Sequence, residues 1–322
     1  MRIAAVRFKQ SLFARIDRDR LRQRLLLAQL VAAPVGLVVL GWLLVDELPM
    51  DRIGANAGGV LAGVVLGVVG LALFGARLAL MARLFGIAVA RRDVWRVHLV
   101  SLFYYFFLPA GVGYDLVRAA KLGGAGTNVT AWKLAGLASV ERAAGGAGLV
   151  VLLLLALPFT KVAEDASLAI LEPPIEIWAA AVAFAAAIAG IVYVLARRRY
   201  PRLRLLYPAA GLSAIAYAMV AAGIWMAAGA LGIGIGSTEI LVALAGTLLF
   251  QLIPVNLLGV SFGEVAAVAI YAAYGLARPE AVFLTTIAYL QRLAAALIGG
   301  GVEAAHSARS LLHLRNNRGI SG

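Results

Sequence analysis

The chain has 322 residues, of which 63% are apolar and only 14% charged, with a mean hydropathy of +0.93. Soluble domains average about 45 to 50% apolar and about 25% charged residues, so this composition excludes a water-soluble globule and indicates an integral membrane protein. With no cysteine and three scattered histidines, His98, His306 and His313, the chain has no disulfides, no thiolate nucleophile and no grouping suited to a metal, and no cofactor is expected.

The net charge of +13 is spread as a ladder rather than gathered in a patch, which excludes nucleic acid as the partner. Basic residues crowd the N-terminal segment 1–24, positions 77–96, the run Arg197, Arg198, Arg199, Arg202 and Arg204, and the tail 305–322 with Arg309, Arg315 and Arg318. Acidic residues occupy the intervening loops: Asp46, Glu47 and Asp51, then Glu164, Asp165, Glu172 and Glu176. This alternation is the positive-inside pattern, with both termini cytoplasmic and Arg52, Lys161 and Arg278 outside.

Segment 1–24 reads either as a basic amphipathic surface helix, with Phe8, Leu12, Phe13 and Ile16 toward lipid, or as a solvated positive anchor. The apolar run 25–45 is long enough at about 1.5 Å per residue to cross a core of about 30 Å. It ends in Asp46-Glu47 rather than a small-residue cleavage site, so it is expected to remain as a signal anchor. A second span, 54–76, carries Gly59, Gly63 and Gly67 at every fourth position, a stripe that lets another helix approach closely.

The next apolar stretch, 97–108, is short and is followed by Pro109, Gly111, Gly113, Asp115 and Arg118. Pro109 removes a backbone donor and the glycines allow non-helical dihedrals, so the chain is expected to turn back within the membrane and restart as a short helix near Asp115. Such irregular backbone survives at membrane depth only against protein or a water-filled cavity. A full span follows over 134–159 with Glu141 and Arg142 in its body. After the acidic external loop 160–176, spans are expected at 177–196 and 209–231, with Gly232, Gly234 and Gly236 as a turn. The interruption then recurs: a short run 240–253, then Pro254, Asn256, Gly259, Ser261, Gly263 and Glu264, a short helix to about Tyr274, and a last span 281–304 carrying Gln291-Arg292.

The two halves, membrane repeat 1 over 25–159 and membrane repeat 2 over 177–304, match in order, and Asp115 to Arg142 is 27 residues while Glu264 to Arg292 is 28. The expected fold is therefore an all-α polytopic membrane protein of two repeats, each about three transmembrane helices plus a broken re-entrant hairpin. Three crossings per half place the second repeat upside down, the inverted design of many transporters.

Pro109, Gly111, Gly113, Asp115 and Arg118, the pair Glu141-Arg142, the second hairpin Pro254, Gly259, Gly263 and Glu264, and Arg292 together resemble the transmembrane domain of the lysylphosphatidylglycerol synthetase family, also described as flippase-like membrane proteins. Tyr114 stands where a second glycine is usual, and Val260-Ser261 replaces a commoner glycine. The resemblance covers nearly all of the chain from Leu25 and implies a lipid-handling protein of the inner membrane, without the soluble transferase domain and its chemistry.

Arginine inside an apolar span costs at least about 2.5 kcal/mol and must face partners or water, so Arg142 and Arg292 are the leading candidates. Two readings stand side by side: bidentate contact with a lipid phosphate, or structural pairing with Asp115 and Glu264. Asp115 and Glu264 sit where a carboxylate complements a helix N-terminus, and Ser261 with Glu264 fits a capping box. Glu141 reads as a salt-bridge or proton-coupling partner. For Arg77, Arg83 and Arg118, anchoring on anionic lipid at the surface is the default, with headgroup guidance a further role for Arg118.

Other matches carry nothing. Gly259-Val-Ser261-Phe-Gly263 has the nucleophile-elbow spacing without the strand-turn-helix setting or a nearby histidine, and Asn128-Val-Thr130 is a sequon on the cytoplasmic side. The sequence thus points to a transporter moving a phosphate-bearing lipid through a polar cavity, with Arg142, Arg292, Arg118, Asp115, Glu141 and Glu264 as binding residues. The hairpin residues Pro109, Gly111, Gly113, Pro254, Asn256, Gly259 and Gly263 would form its gates. The alternative is a non-transporting subunit that docks a lipid-modifying enzyme or glycosyltransferase. An intramembrane enzyme comes last, because no catalytic constellation is present.

Overall fold

The computed structural model describes residues 50–107, 112–125, 129–156, 200–250, 256–257 and 260–318, with isolated positions 191, 194 and 198. They belong to the second of two compact units, Met1–Asp46 and Glu47–Gly322. Segment 1–24, the first expected span, the acidic loop, Pro109, Gly111, Pro254 and Gly259 lie outside the described residues, as does most of 177–196.

A short helix α1 (Met50–Ala55) leads into α2 (Ala57–Leu84), followed by α3 (Arg91–Phe107), α4 (Val112–Ala125) and α5 (Ala131–Ala156). A 3₁₀ turn (Pro201–Leu205) opens α6 (Leu206–Ala230), and α7 (Ser237–Phe250), α8 (Phe262–Ala273) and α9 (Arg278–Arg318) complete the order. Four helices, α2, α5, α6 with its leading turn, and α9 over Arg278–Ser307, are long and apolar enough to cross a membrane. The chain is an all-helical membrane protein in its described residues, apart from one two-residue ladder.

Long, short, short, long is the order in both halves: α2, α3, α4, α5, then α6, α7, α8, α9. The punctuation repeats too. At the ends of α2 and α6, Gly86 and Gly232 adopt positive φ (65° and 71°), and the amides of Ile87 and Ile233 reach back to the carbonyls of Ala82 and Ala228 at 2.8 and 2.9 Å. Only glycine takes this left-handed position without strain, and the bond satisfies carbonyls the helix end leaves free.

Several boundaries differ from expectation. The second span runs on from residue 76 to Leu84, because Leu78-Ala-Leu-Met-Ala continues the apolar run beyond Arg77. Helix α3 starts at Arg91, six residues before the apolar stretch, with Asp93 in its first turn. Helix α4 restarts at Val112, so that Gly113 is helical and Asp115 sits in the first turn. The second hairpin contains an antiparallel ladder, Asn256–Leu257 against Val260–Ser261, instead of plain turn backbone. Val260 is β-branched, a residue type that suits a strand.

The packing centre is the crossing of α2 with α6. A methyl group at Gly63 would overlap the carbonyl oxygen of Gly223, and one at Gly59 would meet the Ala230 side chain. The every-fourth glycine stripe is therefore a packing surface, as expected from small residues in membrane helices. Gln291 of α9, fully buried, closes the same crossing by donating from Nε2 to the carbonyls of Gly63 (3.2 Å) and Val220 (3.3 Å). Leu61, Val65, Ile215 and Trp225 project outward, the distribution expected of helices surrounded by lipid.

Candidate functional site

Arg77 stands in the last third of α2 with 10% of its side chain exposed. Its Nη1 donates to Ser213 Oγ of α6 (3.1 Å) and its Nη2 to Glu141 Oε1 of α5 (2.9 Å). The other oxygen of Glu141 accepts from Arg118 Nη1 of α4. One carboxylate thus bridges two arginines, and both Glu141 and Arg118 are 4% exposed.

Arg118 is further held by its Nη2, which donates to His98 Nδ1 at 2.7 Å and to the Tyr114 hydroxyl. His98 Nε2 lies 3.0 Å from the Leu71 carbonyl, which only accepts, so Nε2 carries the proton and Nδ1 is the acceptor for the guanidinium. His98 is therefore the neutral Nε2–H tautomer. The guanidinium carbons of Arg118 and Arg77 lie over the rings of Tyr114 (3.8 Å) and Phe74 (4.4 Å). Cation–π contact of this kind returns about 0.5 to 2 kcal/mol, less than the several kcal/mol that burying an uncompensated ion costs.

Two further pairs complete the cluster. Arg142 Nη2 donates to Asp115 Oδ2, and Arg292 Nη2 donates to Glu264 Oε1 while its Nε reaches the Ala288 carbonyl at 3.3 Å. These are the two pairings that the matched 27- and 28-residue spacings suggest. They differ in setting: the Arg142 side chain is 65% exposed, the Arg292 side chain 18%. Glu264 and Asp115 both occupy first turns of their helices, where the dipole also favours them.

Arg77, Arg142 and Arg292 all line one cavity of about 310 Å³, to which every helix from α2 to α9 contributes. Tyr105, Tyr114 and Tyr217 line it as well. Its size falls at the lower end of ligand pockets, about 300 to 1,000 Å³, and suits a headgroup rather than a whole lipid. Arg77 Nε and Arg292 Nη1 are buried donors with no partner among the described residues.

The sequence reading of Arg77 and Arg118 as surface anchors is overturned: both are buried and ion-paired, because α2 extends beyond Arg77 and because α4 packs Arg118 inward onto Glu141. Arg83 is exposed, as expected. Gly263 is buried at the start of α8, and Asn256 lies in the first strand of the ladder. Sequence reasoning missed His98, Ser213 and the involvement of Tyr114. The signal for Arg77 was present in the apolar residues that follow it. The signal for Tyr114 was its position four residues before Arg118, one helical turn away. No group of metal-ligating residues occurs among the described residues.

Comparison of the chain with protein-family models, with characterised proteins and with solved structures returns no match.

Proposed function

We propose that the protein is an inner-membrane lipid translocator of the flippase-like type, built from two inverted repeats with both termini cytoplasmic. The observation that carries this reading is the cavity walled by Arg77, Arg142 and Arg292 among tyrosines, enclosed by helices of both halves. Guanidinium forks match phosphate oxygens in geometry and charge, and a tyrosine-lined wall tolerates the glycerol and proximal acyl carbons.

The mechanism follows from the partners. In the empty state Asp115 holds Arg142 and Glu264 holds Arg292, so neither guanidinium is left unpaired within apolar surroundings. A lipid phosphate entering the cavity takes over guanidinium donors, and the carboxylates take them back when it leaves. Because each acid sits on the short helix of its own hairpin, exchange of partner loosens α4 from α5 or α8 from α9. Alternate loosening of the two hairpins opens the cavity to one membrane face and then the other.

The test is transport by purified protein in proteoliposomes with a phosphate-bearing fluorescent lipid. Replacing Arg142 and Arg292 together by alanine removes charged hydrogen bonds worth about 1.5 to 3 kcal/mol each, or about ten- to hundredfold in affinity per residue. Translocation is expected to fall to background in the fraction of the double variant that elutes as folded protein on size exclusion. Undiminished transport by the double variant overturns the mechanism. A stable stoichiometric enzyme partner, together with no lipid movement by the pure protein, would favour the docking-subunit alternative.

A further inference from the structure

We infer that the cavity selects a headgroup with a single net negative charge, a phosphodiester, over a diphosphate or a zwitterion. The inference rests on the phosphate-lipid reading above and adds the charge of the substrate to it.

The charges around the cavity do not cancel. Arg77, Arg118, Arg142 and Arg292 face Glu141, Asp115 and Glu264, and no other acid pairs with any of the four among the described residues. His98 is neutral by its hydrogen bonds, since it donates to a carbonyl and accepts from Arg118. Among the described residues one positive charge is therefore left over.

The residue responsible can be identified. The first half carries Asp115-x-x-Arg118 and Glu141-Arg142, whereas the second half carries Glu264-x-x-Ala267 and Gln291-Arg292. Both members of the ion pair Arg118–Glu141 are thus replaced together by a neutral couple, and each half is balanced within its own hairpin. Arg77 is the extra cation. Counted back from the matched helix ends at Gly86 and Gly232, the position that corresponds to Arg77 is the uncharged Gly223. Arg77 has to share Glu141 with Arg118, it lines the cavity, and its Nε has no partner among the described residues.

An anion of one charge beside Arg77 neutralises this surplus in surroundings where charge is poorly screened. A diphosphate brings negative charge for which no cation remains. A zwitterion brings its own ammonium and restores the surplus.

Retention of lipids by the purified full chain in nanodiscs, read by native mass spectrometry, tests this with phosphatidylglycerol, phosphatidylethanolamine and a polyprenyl diphosphate in competition. The wild type is expected to favour phosphatidylglycerol by about tenfold. Asp115→Asn, which adds a positive charge, is expected to move the preference toward the diphosphate, and Arg142→Gln, which removes one, toward phosphatidylethanolamine. Both residues are partly exposed, and size-exclusion profiles check the fold. A wild type that prefers the diphosphate or the zwitterion, or variants that leave the order unchanged, overturns the charge rule while leaving a phosphate-lipid site. If no lipid is retained selectively by the wild type, the phosphate-lipid reading itself fails, and the charge rule with it. Displacement of phosphatidylglycerol by millimolar inorganic phosphate would make this a site for a free anion and overturn the lipid assignment.

Discussion

Glu141 does more structural work than Asp115. It is 4% exposed and takes guanidinium groups from α2 and α4 on separate oxygens, whereas Asp115 is 26% exposed and pairs with an arginine that is 65% exposed. Removing one member of a buried charge cluster costs about 3 to 5 kcal/mol because the remaining charges lose their counterion. An exposed pair contributes about 0 to 1 kcal/mol. Glu141→Gln should therefore lower the unfolding midpoint in detergent strongly, while Asp115→Asn shifts it little; equal shifts would contradict the burial difference. The two spacing-matched pairs were legible in the sequence because an acid in the first turn of a short helix and an arginine one helix later can only meet if the hairpin folds back. The Arg77–Glu141 bond was not legible, since 64 residues separate the partners and nothing in the spacing points from one to the other. Tyr114 has its ring beneath Arg118, a role the sequence reading did not assign to it.

Among the elements, α2 shows how one helix can carry two grades of glycine. Gly58 has open space where a side chain would project, while Gly63 faces the Gly223 backbone and Gly67 faces Gln291. Alanine at position 63 forces the helices apart, and overpacking of this kind costs about 1 to 3 kcal/mol. Gly63→Ala should destabilise by that order in a detergent unfolding titration, and Gly58→Ala should be close to neutral. The glycine stripe was readable as a packing face, and its partners were not, because α6 carries Gly223 amid alanines with no comparable stripe. The short ladder at 256–261 escaped the reading for a similar reason: proline and glycine signal a turn, and whether two residues on either side pair depends on what α7 and α8 do around them.

At the scale of the molecule, α4 and α8 engage their neighbours through different ion pairs. Helix α4 is bound to α5 through both Asp115–Arg142 and Arg118–Glu141, and to α9 through Lys121–Glu303 at 2.6 Å. In α8 the corresponding position to Arg118 is Ala267, and Glu264–Arg292 is its ion pair with α9. Arg118→Ala, which takes from Glu141 one of its two guanidinium groups, should loosen α4 from α5 and speed deuterium exchange of the α4 amides; unchanged exchange would contradict the holding role of this pair. The order of long and short apolar runs was visible in the sequence from residue types alone. The place of Gln291 at the helix crossing was not visible there, because its partners are backbone carbonyls of α2 and α6. That crossing has a consequence for how the chain is made. Gln291 bonds to Gly63 across 228 residues, and Arg77 waits 64 residues for Glu141. At about 5 to 20 residues per second of synthesis, α2 resides in the membrane for about 3 to 13 s before its arginine has a carboxylate, and several times longer before the crossing can close. Until then Arg77 lacks the carboxylate that later neutralises it, so the burial of this stretch of α2 becomes favourable only once α5 has been made, and the crossing closes only with α9.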